Sequence, residues 1–193
     1  MARLDPIPPG EWPEQMKAAL AALRPAEPRH PFPPRDPNRP KGLNVLGLLA
    51  HHPTLTTAYH TFNGHILYGT TLTERQRELL VLRVAALRDA EYEWAQHAVL
   101  AGDVGITTDE LDAIRAGDAA AFDELDAALL AAAGELVADA RIGDATYAVL
   151  AAALDPQQLM DVVFTVGAYD LLAMAFRTFD LELDSDLRKR PSH

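Results

Sequence analysis

The chain has no cysteine. Disulfide staples, thiolate metal sites, iron–sulfur clusters and thiol redox cycles are therefore excluded, because each needs a sulfur ligand or nucleophile. No uninterrupted run of about 18 apolar residues occurs, so no membrane span is expected. The opening residues, MARLDPIPPGEW, lack an apolar leader core, and no signal peptide is expected. Positive charge is scarce: 17 Lys and Arg stand against 28 Asp and Glu, a formal net charge of −11. A nucleic-acid partner or an anionic membrane would need clustered cations to neutralise phosphates, so neither is expected. Strand-like alternation is limited to scattered pairs. These absences point to a cytoplasmic, all-α protein.

What is present suits one domain with a single core. The chain has 193 residues, 49% of them apolar, with many alanines that let helices approach closely. Residues 1–43 hold most of the prolines. A short helix is expected at 13–23, followed by PAEPRHPFPPRDPNRP, which can be neither helix nor central strand. This arm either runs free or packs on the body or a neighbouring subunit; Trp12 and Phe32 favour packing, being costly to leave in water. Residues 44–183 form the helical domain, and 184–193 a polar tail that frays, with fraying expected from Leu183.

Within the domain, NVLGLLAHH reads as a short helix with Asn44 as its N-cap. The next helix covers 53–68 and ends at Gly69. His51, His52, His60 and His65 cluster here. A metal site and structural or capping roles both fit, and the spacings favour the latter, since His60 and His65 do not share a helix face well. Thr73 with Gln76 is a capping-box pair. The helix it starts is apolar nearly all round, hence central, with Glu78 and Arg83 as its polar exceptions. Asp89 can cap a helix over 90–102. Thr107 with Glu110 opens another that stops at Gly117. One amphipathic helix is expected over 118–140, one over 145–153, and a long one from Asp155-Pro156 to about Phe179. Leu72-Thr73 and Leu154-Asp155 echo each other, as two helical repeats would.

Acid/base chemistry is dense only in the stretch LTERQRELLVLRVAALRDAEYEWAQHAVLAGDVG. Glu93 and His97 are four apart and share a helix face, so the carboxylate can accept from one imidazole nitrogen and orient the other as a base. Glu78, on the preceding helix, can approach His97 if the two helices pack side by side. In an apolar pocket it would resist ionisation and store a proton. Arg83 can hold an anionic group through its guanidinium fork. Tyr92 and Trp94 would wall the site. The plain alternative is a solvated Glu–His surface pair. Glu78, Glu93 and His97 match no standard metal motif, and neither metal nor cofactor is expected.

The segment RELLVLRVAALRDAEYEWAQHAVLAGDVGITTDEL, with LAHHPTL upstream, resembles the carboxymuconolactone decarboxylase family within the alkylhydroperoxidase D-like superfamily. The resemblance spans roughly residues 43–180. It implies an all-helical bundle, usually a trimer or hexamer. In the peroxidase branch a CxxC pair works with an upstream Glu and a downstream His. The Glu corresponds to Glu78 and the His to His97, but the cysteine positions fall on Ala90 and Glu93, and a relay His on Tyr92. The peroxidase cycle therefore has no nucleophile here. The decarboxylase branch acts on a small carboxylated lactone. It implies His97 as acid/base, Glu78 as relay, Glu93 as orienter and Arg83 as anion contact. A cofactor-free lyase or isomerase is the first expectation, and a non-catalytic oligomer or small-molecule binder the second.

Overall fold

The computed structural model describes residues 2–32 and 39–188. Among them no strand occurs, as expected from sequence. The described chain divides into two compact units. The first holds the residues up to Thr70 and those from Ala175 onward; the second is Thr71–Met174. The boundary read at residue 43 falls inside the first unit.

In the first unit, α1 (Met16–Ala22), α2 (Leu43–Leu49) and α3 (Pro53–Gly64) are followed by a π-helical turn, His65–Gly69. Helix α1 packs on α3. The approach is close: a Cβ added at Gly64 would lie 2.7 Å from the Leu23 carbonyl oxygen. Trp12 half-buries itself against Met16, Ala19 and Ala50, and its indole N–H donates to the Ile7 carbonyl at 2.8 Å. Phe32 meets Tyr68 edge-on at 4.7 Å, under the Arg24 guanidinium. The described part of the arm thus packs on its own unit; residues 33–38 of the proline-rich run lie outside the described residues.

Two sequence expectations need correction here. Asn44 is not the N-cap of α2. Gly42 takes that position with φ +62, and Asn44 sits in the first turn. Its backbone N–H donates to Asp184 Oδ1 and its side-chain amide to the Glu182 carbonyl, both at 2.8 Å. A helix start needs acceptors, and the tail supplies them. Asp184 and Leu187 are buried accordingly, so the tail is docked as far as Leu187. The histidines serve local structure. His52 Nδ1 accepts from the Leu55 N–H and caps α3. His60 Nδ1 lies 2.8 Å from the Ala19 carbonyl, and His51 Nε2 2.9 Å from that of Asp5. His65 opens the π turn. Among the described residues no three His, Asp or Glu side chains are grouped to hold a metal ion.

The second unit is built on α4 (Glu74–Leu87), against which α5 (Glu91–Ala101), α6 (Thr108–Ala116) and α7 (Glu124–Asp139) pack; α8 (Asp144–Ala153) lies on α7. Leu79, Leu80, Val81, Leu82 and Val84 are all fully buried, which is why this helix carries no polar face there. The expected capping boxes at Thr73–Gln76 and Thr107–Glu110 are both closed. The final helix, α9 (Pro156–Thr178), starts from the same reciprocal arrangement, with Asp155 and Gln158 exchanging hydrogen bonds at 2.9 Å. The two helix starts that echo in the sequence are thus capped alike.

Two further expectations are corrected. Asp89 does not cap α5; it ends α4 in the left-handed region with φ +48, and Ala90 precedes α5 without a side-chain cap. Residues 118–140 are not one helix. Asp123 Oδ1 accepts from the Asp126 N–H at 2.8 Å, so α7 begins only at Glu124, behind a 3-10 turn at Ala119–Ala121. Helix α9 is long and apolar enough, by length and composition alone, to cross a membrane, a test that the core helix of a soluble protein also passes. Asp161 and Asp170 interrupt it, and Val162, Thr165, Val166, Tyr169 and Ala173 form a buried inner face.

Candidate active site

Glu78 sits at the start of the apolar run on α4 and is fully buried. His97 lies on α5, whose start is fixed by the tight turn at Asp89-Ala90. Packing of α5 on α4 brings His97 Nδ1 to 2.6 Å from Glu78 Oε2. The other carboxylate oxygen, Oε1, accepts from Arg77 Nη2 at 3.1 Å and Nε at 3.2 Å. Burial raises the Glu78 pKa, but the His97 charge and hydrogen bond, and then Arg77, outweigh it and hold the carboxyl below its ordinary value. Glu78 is therefore ionised and can only accept, so Nδ1 of His97 carries a hydrogen. The opposite nitrogen, Nε2, is left as the atom that gives or takes a proton. The Tyr169 ring, on α9, meets the imidazole edge-on at 5.0 Å.

Glu93 does not orient His97. It is 2% exposed, and neither carboxylate oxygen has a hydrogen-bond partner. Burial, and then the negative charge of Asp170, push its pKa well above the ordinary carboxylate value. The expected roles of the two acids are thus exchanged. Glu78 is the ionised partner of the ring because a guanidinium and an imidazole surround it. Glu93, one helical turn from His97, is the carboxyl whose surroundings disfavour its charged form, and it has no partner to offset them.

The remaining expected site residues part company. Tyr92 is buried, and its hydroxyl accepts from Gln96 Nε2 at 3.2 Å. Trp94 belongs to the core with Leu79, Leu82, Ile114 and Leu130, and the Arg115 guanidinium stacks over its ring at 4.2 Å. Arg83 is displaced. Its Nη1 donates to the Ile114 carbonyl at 2.8 Å, at the end of α6, and it lines a small cleft there. Five residues separate Glu78 from Arg83, about 140° around a helix, so the two emerge on different faces.

Sequence reasoning missed Arg77, Tyr169 and Asp170. Arg77 stands beside Glu78 where the polar first turn of α4 gives way to the apolar run, a signal that an acid there would be paired. Tyr169 and Asp170 are more than 70 residues away in a helix whose register against α5 no local pattern gives.

Residues 53–135 match the carboxymuconolactone decarboxylase family. No curated protein matches the chain. Solved structures share its fold at low identity. The debrominase Bmp8, without ligand, superposes with a TM-score of 0.72 at 12% identity, covering 95% of this chain and 93% of that one. A peroxidase-related protein from Silicibacter sp. TM1040 gives 0.69 at 16%, covering 86% and 97%. An alkylhydroperoxidase AhpD core protein from Ralstonia eutropha JMP134 gives 0.67 at 17%, covering 75% and 78%.

Proposed function

Residues 53–135 match the carboxymuconolactone decarboxylase family, and from that match we propose that the chain is a member of it and a cofactor-free acid/base lyase acting on a small carboxylated lactone. The observation that carries this reading is the fully buried Glu78 carboxylate bonded to His97 Nδ1 at 2.6 Å, with a second buried carboxyl, Glu93, one helical turn from His97 and without a partner, its pKa pushed up by burial. Pairs of acids whose surroundings push their pKa values apart mark acid/base assignments.

For a lactone whose γ-carbon bears the carboxylate and whose ring double bond is conjugated with the carbonyl, the steps balance without an oxidant. The bond to the carboxylate breaks and carbon dioxide leaves. The electron pair moves through the ring to the lactone carbonyl oxygen, where the Glu93 O–H donates to the developing enolate. His97 Nε2 then delivers one proton to the α-carbon and shifts the double bond; solvent restores that proton. Glu78 holds the imidazole in the required tautomer and stabilises its charged form. A thiol peroxidase activity is excluded by the absence of cysteine.

The test is turnover of carboxymuconolactone, followed as carbon dioxide release, in wild type and in His97→Ala and Glu93→Gln. Loss of about 10²–10⁴-fold in each variant, with folding intact, is expected. A folded wild type that binds the lactone without releasing carbon dioxide would leave a binding protein on the same scaffold.

We also propose a homo-oligomer, the second copy covering the outer face of α9. Met160, Phe164, Leu171 and Met174 are exposed there, spaced with Gly167 in a 4-3-4-3 pattern that suits helix-on-helix packing, and a Cβ at Gly167 would meet nothing within 4 Å. Sedimentation equilibrium showing only monomer at micromolar concentration would remove this part.

A further inference from the structure

The second unit contains one arginine that stands apart from the rest. Arg75 pairs with Glu110 and Asp126, Arg77 with Glu78, Arg88 with Asp170, Arg115 with Glu91 and Arg141 with Asp144. Arg83 has no carboxylate partner among the described residues, although the chain carries 28 acidic residues. It is half-buried, and its single hydrogen bond goes to the Ile114 carbonyl. That bond caps α6 and uses one of the five N–H donors of the guanidinium.

The group lines a cleft of about 150 Å³ with Ile114, Gly117, Ala119, Leu130 and Ala131. Gly117, at φ +77, is required both for its left-handed backbone and for space. A Cβ there would sit 2.9 Å from Arg83 Nη2, so any side chain would press on the guanidinium. The walls are otherwise aliphatic. A half-buried cation beside an apolar cleft is incomplete, because desolvation costs it free energy that no counter-ion returns.

We propose that the Arg83 cleft is an anion-binding site for a short aliphatic monocarboxylate, distinct from the Glu78–His97 pair. The planar carboxylate meets the free edge of the guanidinium, and two to four carbons lie against Leu130, Ala131 and Ala119. Volume sets the upper limit, since about 150 Å³ holds on the order of five waters' share of space. A spherical inorganic anion would leave the apolar wall unused.

The experiment is a thermal-shift titration of the full chain with acetate, propionate, butyrate and inorganic phosphate, each against chloride at constant ionic strength. Saturable stabilisation by propionate or butyrate, at least about 5-fold tighter than acetate or phosphate, is expected. Arg83→Gln should abolish it. Because Arg83 also caps α6, a second variant keeps the test open if that one unfolds. Ala131→Leu, at an exposed helical position on the rim, should fold normally and block the cleft. No saturable stabilisation by any carboxylate in wild type would overturn the proposal. So would equal stabilisation in Ala131→Leu, or phosphate binding as tightly as butyrate. Activity on the lactone is not the readout, so this result and that of the proposed function can fail separately.

Discussion

Helix α4 carries two ionic clusters within one turn of each other, and they are built on opposite principles. Arg75, at its start, is fully matched. Its Nε donates to Asp126 Oδ2 at 2.9 Å and its Nη2 to Glu110, tying α4 to α7 and α6. Every charge there has a partner, and part of the cluster reaches solvent. Three residues on, Glu78 and His97 are buried, and beside them Glu93 has no partner at all. The first arrangement is what a stable fold needs. The second lowers stability, and a chain keeps such a group where it serves chemistry. Matched charge marks architecture here; a mismatched buried acid marks the proposed site.

The largest expected effect breaks the second cluster. Glu78→Gln removes the carboxylate between Arg77 and His97 and leaves a guanidinium only 8% exposed without that counter-charge. A cost of about 3–5 kcal/mol is expected, measured by urea unfolding, together with loss of turnover. The pH profile should change with it. A carboxyl held below its unfolded value binds fewer protons folded than unfolded. It adds stability that is present above the unfolded range and drains as pH falls through the folded value. Glu78→Gln should flatten that acid limb. An unchanged profile would place the charge elsewhere.

Glu93 should behave in the opposite sense, and this sharpens the comparison most. Its folded pKa lies well above the unfolded value near 4.3. Between those two values the folded chain retains a proton that the unfolded chain has released, so stability falls as pH rises through the window. Glu93→Leu removes two unsatisfied buried oxygens and should stabilise the protein by about 1–3 kcal/mol at neutral pH while abolishing turnover. A destabilised Glu93→Leu would mean that the carboxyl has a structural partner, and the contrast with Arg75 would collapse.

How much of this the sequence made legible follows from the range of the interactions. Capping boxes at Thr73 and Thr107 and the apolar run of α4 are local, three- and four-residue patterns, and they placed the helices. The Glu78, Glu93 and His97 trio was legible because polar residues in an apolar run are conspicuous and because the segment resembles a known family. Which acid holds the ring was not. The i, i+4 rule makes Glu93 the natural partner of His97, but a helix-to-helix contact overrides it. Glu78 approaches across the α4–α5 packing with Arg77 behind it, and no spacing rule encodes that. The same limit explains Asn44, whose N–H is met by Asp184 from 140 residues away, and Asp89, whose left-handed φ makes it an end rather than a beginning.

The smallest effect belongs to the matched cluster. Arg75→Met should keep the aliphatic packing of the stem but strip two carboxylates of their partner. Glu110 still accepts from the Thr107 N–H through its capping box, and part of the cluster is solvated. The loss should therefore be about 1 kcal/mol, the upper range for exposed pairs, and should shrink in high salt. Turnover should stay within about 2-fold of wild type, because α4 is still held by its buried leucines. A large fall in turnover with this small stability change would show that Arg75 positions the site. The division between architectural and reactive charge along α4 would then have to be redrawn.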